Sequence, residues 1–240
     1  MMFSKKKFCC IVLARKNSKG LKNKNLKKIE NKPLIYYPIK AALKVNKISC
    51  VYFNSDSDQM LRYVSKKFSK CIIYKRPKKL GLDKTSSFEV LSDIIKKLKL
   101  QKNFEYFVLL EPTSPLTSSA DIKKAINKIL KNKLATSLLS VVDSTTPNSY
   151  FSFSLKNNYL IPKQFRKQYN LRRQDLKKSY FIDGSIYISK VKTYLKYKNF
   201  TQPKTLCFKN IKIKSFQIDD NIDYKIIKYL FKVLKNKNFH

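Results

Sequence analysis

The sequence predicts an α/β fold with a mainly parallel sheet and helices on both of its faces. Two observations carry that expectation. Continuous apolar runs of strand length, such as FCCIVLA (8–14) and YFVLL (106–110), read as strands buried on both sides rather than on one. Between such runs lie segments whose apolar residues recur at helical spacing, and strand–helix alternation of this kind builds parallel sheets.

Taken in order, FCCIVLA is the first strand, and the loop that leaves it within residues 12–26, VLARKNSKGLKNKNL, lies at its carboxyl end, where open α/β sheets hold ligands. Residues 33–45, PLIYYPIKAALKV, predict a helix that opens on Pro33 and keeps Pro38 in its early part. CVYFN (50–54) is a second strand; Ser55-Asp56-Ser57-Asp58 then supplies caps for a helix from about Gln59 to Phe68. CIIYK (71–75) is a third strand, followed by a loop, RPKKLGLDKTSS (76–87). The next helix carries Val90, Leu91, Ile94, Ile95 and Leu98 on one face. YFVLLEPTSPL gives the fourth strand and a proline-flanked turn. A helix over Ala120–Leu130 with Ser119 as its cap and a fifth strand over Ala135–Val142 complete the repeating part.

From about Thr145 the pattern changes. YFSFSL and YLIP, separated by Asn-Asn, predict a hairpin laid over the main sheet; NLRRQDLKKS is polar and irregular. YFIDGSIYIS returns to strand character, and YKIIKYLFKVL describes a last helix. No internal repeat or long linker divides the chain, so residues 1–240 are expected to form one domain, with 145–180 as an elaboration.

Composition removes several chemistries. The only histidine is His240, which excludes a Ser-His-Asp triad, a Cys-His pair and a histidine-rich zinc site. Gly20, Gly81 and Gly184 stand too far apart for GxGxxG or a Walker A loop. The five cysteines form no CxxC and mostly sit in apolar runs, as buried thiols of a reducing compartment do. No stretch reaches membrane-spanning length. The basic start and short apolar run mimic a signal peptide, but Arg15 ends the run and no small-residue cleavage site follows, so the cytoplasm is expected.

The 53 Lys and Arg against 15 Asp and Glu give a formal charge of +38. An excess of this size ordinarily points to nucleic acid, through counterion release at the phosphates. Here the lysines are interleaved with Asn and Ile along the chain without forming a block, a pattern AT-rich coding also produces. A solvated lysine surface is the reading adopted, and a basic nucleic-acid-binding protein on a degenerate enzyme fold is the alternative from another class. A small polyanion is attracted under either.

LARKNSKGLKNKNL, KPLIYYPIKAAL, RPKKLGLDKTSS, LLEPTSPL, DGSIYIS and a late IDD follow one another in the order seen in a known family. The chain resembles the cytidylyltransferases that activate sialic acids and related nonulosonic acids, and the pattern LAR-x-NSKG-x-x-x-KN is met at every fixed position. The resemblance implies a Rossmann-like nucleotidyltransferase fold of GT-A type, a homodimer with residues 145–180 on its dimer and acceptor side, CTP as co-substrate, Mg²⁺ as cofactor, and a CMP-sugar acid as product. An eight-carbon sugar acid is the alternative acceptor.

The first loop suits a triphosphate on its own terms. Backbone N–H groups at Ser18–Gly20 can form an anion nest that no side chain obstructs at Gly20. Arg15 offers a planar fork and Lys24 a mobile point charge. By resemblance Arg15, Ser18, Lys24 and Asn25 contact the phosphates, with Arg15 and Lys24 catalytic. The same source puts Arg76, Ser86 and Ser87 at the nucleotide, although a serine there also reads as the cap of the next helix, with Glu89 in its first turn. Glu111 stands where the family pattern has Gln, and with Arg173 (beside Arg172 and Gln174) and Asp183 it forms the implied acceptor side. Metal falls to Asp219 and Asp220, because Gln217 replaces the first residue of the family's Asp-x-Asp; helix capping is the competing role for the two aspartates.

Overall fold

The computed structural model describes residues 6–18, 20–144, 153–162 and 178–236. Chain order is β1 (Lys6–Ala14), β2 (Lys28–Ile29), β3 (Lys32–Pro33), α1 (Tyr36–Leu43), β4 (Ile48–Ser55), α2 (Asp58–Lys67), β5 (Cys71–Lys75), α3 (Ser87–Lys97) and α4 (Leu100–Asn103). There follow β6 (Phe104–Leu110), α5 (Ser119–Lys131), β7 (Ser137–Ser144), β8 (Phe153–Lys156), β9 (Tyr159–Pro162), β10 (Ser179–Lys190), α6 (Val191–Tyr197), β11 (Thr205–Lys209) and α7 (Asn221–Asn236).

Seven strands form one sheet in the order β11-β7-β10-β6-β1-β4-β5. All its pairings are parallel except those of β10, which runs antiparallel between β6 and β7. The expected α/β class is the one observed. β1 lies between β4 and β6, so the chain winds outward in both directions from β1 and opens a crevice beyond the carboxyl ends of β1 and β6.

The alternation along β1 explains the two layers. Phe8, Cys10, Val12 and Ala14 face one core, with Ile39 and Ala42 of α1, Val64 of α2 and Ile122 and Ile126 of α5. Cys9 and Ile11 face the other, with Val90, Leu91, Ile94 and Ile95 of α3 and Tyr194 of α6. Both sets of β1 side chains are wholly buried, which is why FCCIVLA reads as a continuous apolar run. Cys9, Cys10 and Cys71 are buried free thiols, as expected, while Cys207 is exposed.

Three expectations are corrected locally. The helix predicted from Pro33 begins at Tyr36, because Lys32-Pro33 pairs with Lys28-Ile29 across a tight turn with positive φ at Glu30 and Asn31. Ser118, rather than Ser119, caps α5, its hydroxyl accepting from Asp121 N–H while the Asp121 carboxylate accepts from Ser118 N–H. The hairpin β8–β9 exists, turning on Asn157 and Asn158 with φ of 50° and 66°, the geometry a two-residue turn demands. It does not cover the main sheet, since Leu155, Tyr159 and Leu160 are exposed.

Candidate active site

The first loop is shaped by its asparagines. Asn23 takes a left-handed conformation, φ 55°, which lets Lys24–Leu26 turn back as a single helical turn. Asn25 is buried and donates its side-chain amide to the Arg15 carbonyl, 3.0 Å, tying the two ends of the loop together. Lys16 N–H donates to Asp56 Oδ1 at 2.7 Å, which fastens the loop to the end of β4. Arg15 Nη1 meets Asp83 at 2.8 Å and Lys24 Nζ meets Asp219 at 3.0 Å.

Gly20 has a second role that the sequence did not suggest. A Cβ there would sit 2.3 Å from the carbonyl oxygen of Asp219. The missing side chain lets the backbone of the first loop touch the backbone of the loop before α7, across almost the whole sequence.

The second loop is held by its arginine. Arg76 is buried, donates Nε to Asn54 Oδ1 at 2.7 Å, and its backbone N–H donates to the Ser55 carbonyl at 2.8 Å. Asn54 is oriented in turn by donating to the Tyr74 carbonyl. Burial pushes the Arg76 guanidinium below its ordinary value, neighbouring Asp56 opposes that, and Arg15 repels it. Ser86 is the helix cap: its hydroxyl accepts from Glu89 N–H, and Glu89 accepts from Ser86 N–H. Ser87 faces the cleft. Capping and cleft-facing therefore fall to adjacent serines.

After β6 the turn Glu111–Ser114 is sewn to the distant loop before α7 by Ile218 N–H donating to the Thr113 carbonyl, 2.9 Å. Burial raises the Glu111 carboxyl, and the charge of Asp219 adds to the effect; the Thr113 hydroxyl and Lys24 work against it. Gln217 turns away, donating its amide to the Asp183 carbonyl at 2.6 Å. That contact needs Gly184, whose φ of +71° and bare Cα make room for the Gln217 side chain.

These pieces enclose a cleft of about 460 Å³ at the carboxyl ends of β1 and β6. Arg15, Ser18, Gly20, Lys24, Asn25, Arg76, Ser87, Glu111 and Asp219, all singled out from the sequence, line it. Leu13, Thr85, Val90, Pro112 and Thr113 line it too and were not foreseen. Their signal was weak: apolar or small residues in strands, turns and a helix look like core or turn until the fold brings them to one place.

Three expected residues are not in the lining. Ser86 caps α3. Asp183 is buried within β10, its carboxylate accepting from Ser140 Oγ, from Ser185 N–H and, at 2.9 Å, from Asn210. Its charge holds the bend in β10 together instead of facing the acceptor space. Asp220 accepts from the N–H groups of Ile222 and Asp223, while Asp223 accepts from Asp219 and Asp220, a reciprocal cap of α7. Capping thus claims Asp220 but leaves Asp219 facing the cleft. Arg173, with Arg172 and Gln174, lies outside the described residues.

Cations outnumber carboxylates in the lining, with Arg15, Lys24 and Arg76 against Glu111 and Asp219. The arrangement suits a polyanion. The donor set also fits a magnesium ion shared with phosphates: hard carboxylate oxygens, one of them on an exposed aspartate, and few of them. Among the described residues no cluster of three or more metal-ligating side chains occurs, so a metal held by protein alone does not fit.

A family model described as "Cytidylyltransferase" matches residues 9–235. The N-acylneuraminate cytidylyltransferase of Escherichia coli O18:K1:H7 is 30% identical over 220 residues, 92% of this chain and 51% of that protein. The pseudaminic acid cytidylyltransferase of Campylobacter jejuni serotype O:2 is 29% identical over 225 residues, 93% of this chain and 96% of that protein. The chain thus spans about half the length of the first relative and nearly all of the second. Among solved structures, a CMP:2-keto-3-deoxy-manno-octonic acid synthetase complexed with CTP superposes with a TM-score of 0.69 at 14% identity, over 95% of this chain and 99% of that one, a likeness of fold.

Proposed function

Because the chain belongs to the cytidylyltransferase family, we propose that it activates a nonulosonic acid of the sialic or pseudaminic type with CTP, forming the CMP-sugar acid and pyrophosphate. The observation that carries the reading is the cleft itself, where Arg15, Lys24 and Arg76 converge at the sheet's switch point. The relatives named as acting on N-acylneuraminate and pseudaminic acid support the acceptor class.

In this reading the acceptor's anomeric oxygen attacks the α-phosphorus of CTP, the bond to the β-phosphate bridging oxygen breaks, and the acceptor proton is lost to water or a carboxylate. Chemistry of this kind needs positioning and charge neutralisation more than a covalent protein group. Arg15 and Lys24 bind the phosphates and stabilise the charge that accumulates on pyrophosphate. Arg76, clamped by Asn54, and Ser87 border the nucleoside end. Glu111 and Asp219 would hold magnesium against the phosphates, where the ion would neutralise charge and polarise a phosphoryl oxygen.

Purified protein mixed with CTP, Mg²⁺ and a panel of nonulosonic and eight-carbon sugar acids is expected to release pyrophosphate only with a nine-carbon acceptor, and a chelator is expected to stop it. Release with the eight-carbon acid alone would overturn the acceptor assignment. No helix among the described residues is long and apolar enough to cross a membrane. We place the reaction in the cytoplasm, a setting that suits the unpaired cysteines.

A homodimer is part of the proposal. Leu155, Tyr159, Leu160 and Ile161 of the hairpin, and Tyr180, Phe181 and Ile182 at the start of β10, leave more apolar surface in water than isolated side chains would. Sedimentation is expected to give twice the chain mass, and Leu155→Asp with Leu160→Asp to give the monomer. An unchanged dimer in that variant would place the interface elsewhere.

A further inference from the structure

Among the described residues two ion pairs reach the cations of the cleft, and they are not equivalent. Lys24 and Asp219, 3.0 Å apart, both line the cleft, so Asp219 stands in the space an anion or its counter-ion would take. Arg15 and Asp83 are 2.8 Å apart, and only the arginine lines the cleft. Asp83 grips Arg15 from outside.

The grip is directional. It is made through Nη1, whereas a guanidinium carries five N–H donors in a rigid fork, so the remaining donors are aimed by the one that is held. Arg15 is about one-third exposed and is repelled by Arg76, so without a partner its long side chain would swing toward solvent. Asp83 is itself fixed in a turn, with Thr85 N–H donating to the Leu82 carbonyl at 3.1 Å. Gly81 at the head of that turn packs against Asp56, the same residue that accepts from Lys16 N–H. The first and second loops therefore meet at two places, around the Asp56 side chain and at the Arg15 side chain.

We infer that Asp83 is a positioning residue for nucleotide binding, fixing the Arg15 guanidinium toward the triphosphate and coupling the phosphate loop to the loop beside the nucleoside. The inference rests on the cytidylyltransferase reading of the cleft. Asp83 does not line the cleft; it acts through Arg15.

Titration of CTP with Mg²⁺ into wild type, Asp83→Asn, Asp83→Glu and Arg15→Ala, and into the Arg15→Ala/Asp83→Asn double variant, tests it. Asp83→Asn is expected to raise the CTP dissociation constant about fivefold, as loss of a partly exposed ion pair does, with turnover at saturating CTP within about twofold of wild type. Asp83→Glu is expected to recover most of the affinity. In the Arg15→Ala background the Asp83 change is expected to have no further effect, which a merely structural role would not produce. An Asp83→Asn protein that binds CTP as wild type does, or more tightly, overturns the inference alone. Wild type that binds no CTP overturns the reading on which it rests.

Discussion

Lys24→Ala is expected to lower turnover by about 10²–10³-fold while leaving CTP affinity within an order of magnitude. The side chain is only 15% exposed, and its ammonium lies 3.0 Å from Asp219 and close enough to Glu111 to oppose the rise in that carboxyl's pKa. Removing it subtracts a mobile charge able to follow phosphate oxygens as the bond breaks. It also leaves two carboxylates facing the phosphates with less to balance them. Both effects act most strongly where negative charge is greatest, in the transition state. Steady-state kinetics with varied CTP separates the two parameters, and a turnover equal to wild type would remove Lys24 from the chemistry.

The second large effect is expected at a residue with no side chain. Gly20→Ala puts a methyl group 2.3 Å from the Asp219 carbonyl oxygen, far inside van der Waals contact, and the clash is with backbone that cannot rotate away. The first loop must lift from the loop before α7, carrying Lys24 away from Asp219. Displacement of about 1 Å in a phosphoryl-transfer site costs on the order of 10²-fold, so kcat/KM is expected to fall by that amount. Gly20 lies at the surface and its φ is ordinary, so the protein is expected to remain folded by circular dichroism. Wild-type kcat/KM in Gly20→Ala would show that the two loops need not touch.

Much of this site was legible before the fold was known, for a physical reason. Arg15 and Arg76 directly follow strands whose apolar runs are unmistakable, and Lys24 and Asn25 belong to the loop that Arg15 opens, so all four gather at the cleft. The sequence could not tell which of several neighbouring polar residues turns inward. Ser86 and Ser87 differ by one helical step, and Asp219 and Asp220 by one backbone peptide; capping takes one of each pair. Asp183 misled for the opposite reason. Resemblance put it on the acceptor side, but Ser140 and Asn210, distant in sequence, together with the neighbouring Ser185 N–H, supply the donors that let it be buried. The place of β10 between β6 and β7 was equally hidden, since strand order depends on pairings that no local pattern encodes.

The loop before α7 has one more consequence. Gln217 and Ile218 are bonded to the turns around Gly184 and Thr113, Asp220 and Asp223 lock the helix start, and Gly20 closes over the Asp219 carbonyl. Asp219 is thus a single exposed carboxylate suspended between two fixed ends. Freezing one residue's backbone costs about 1–2 kcal/mol of conformational entropy, and here that loss is incurred when the chain folds. Whatever enters the cleft meets a carboxylate whose backbone is already ordered, so binding need not spend affinity on ordering that backbone.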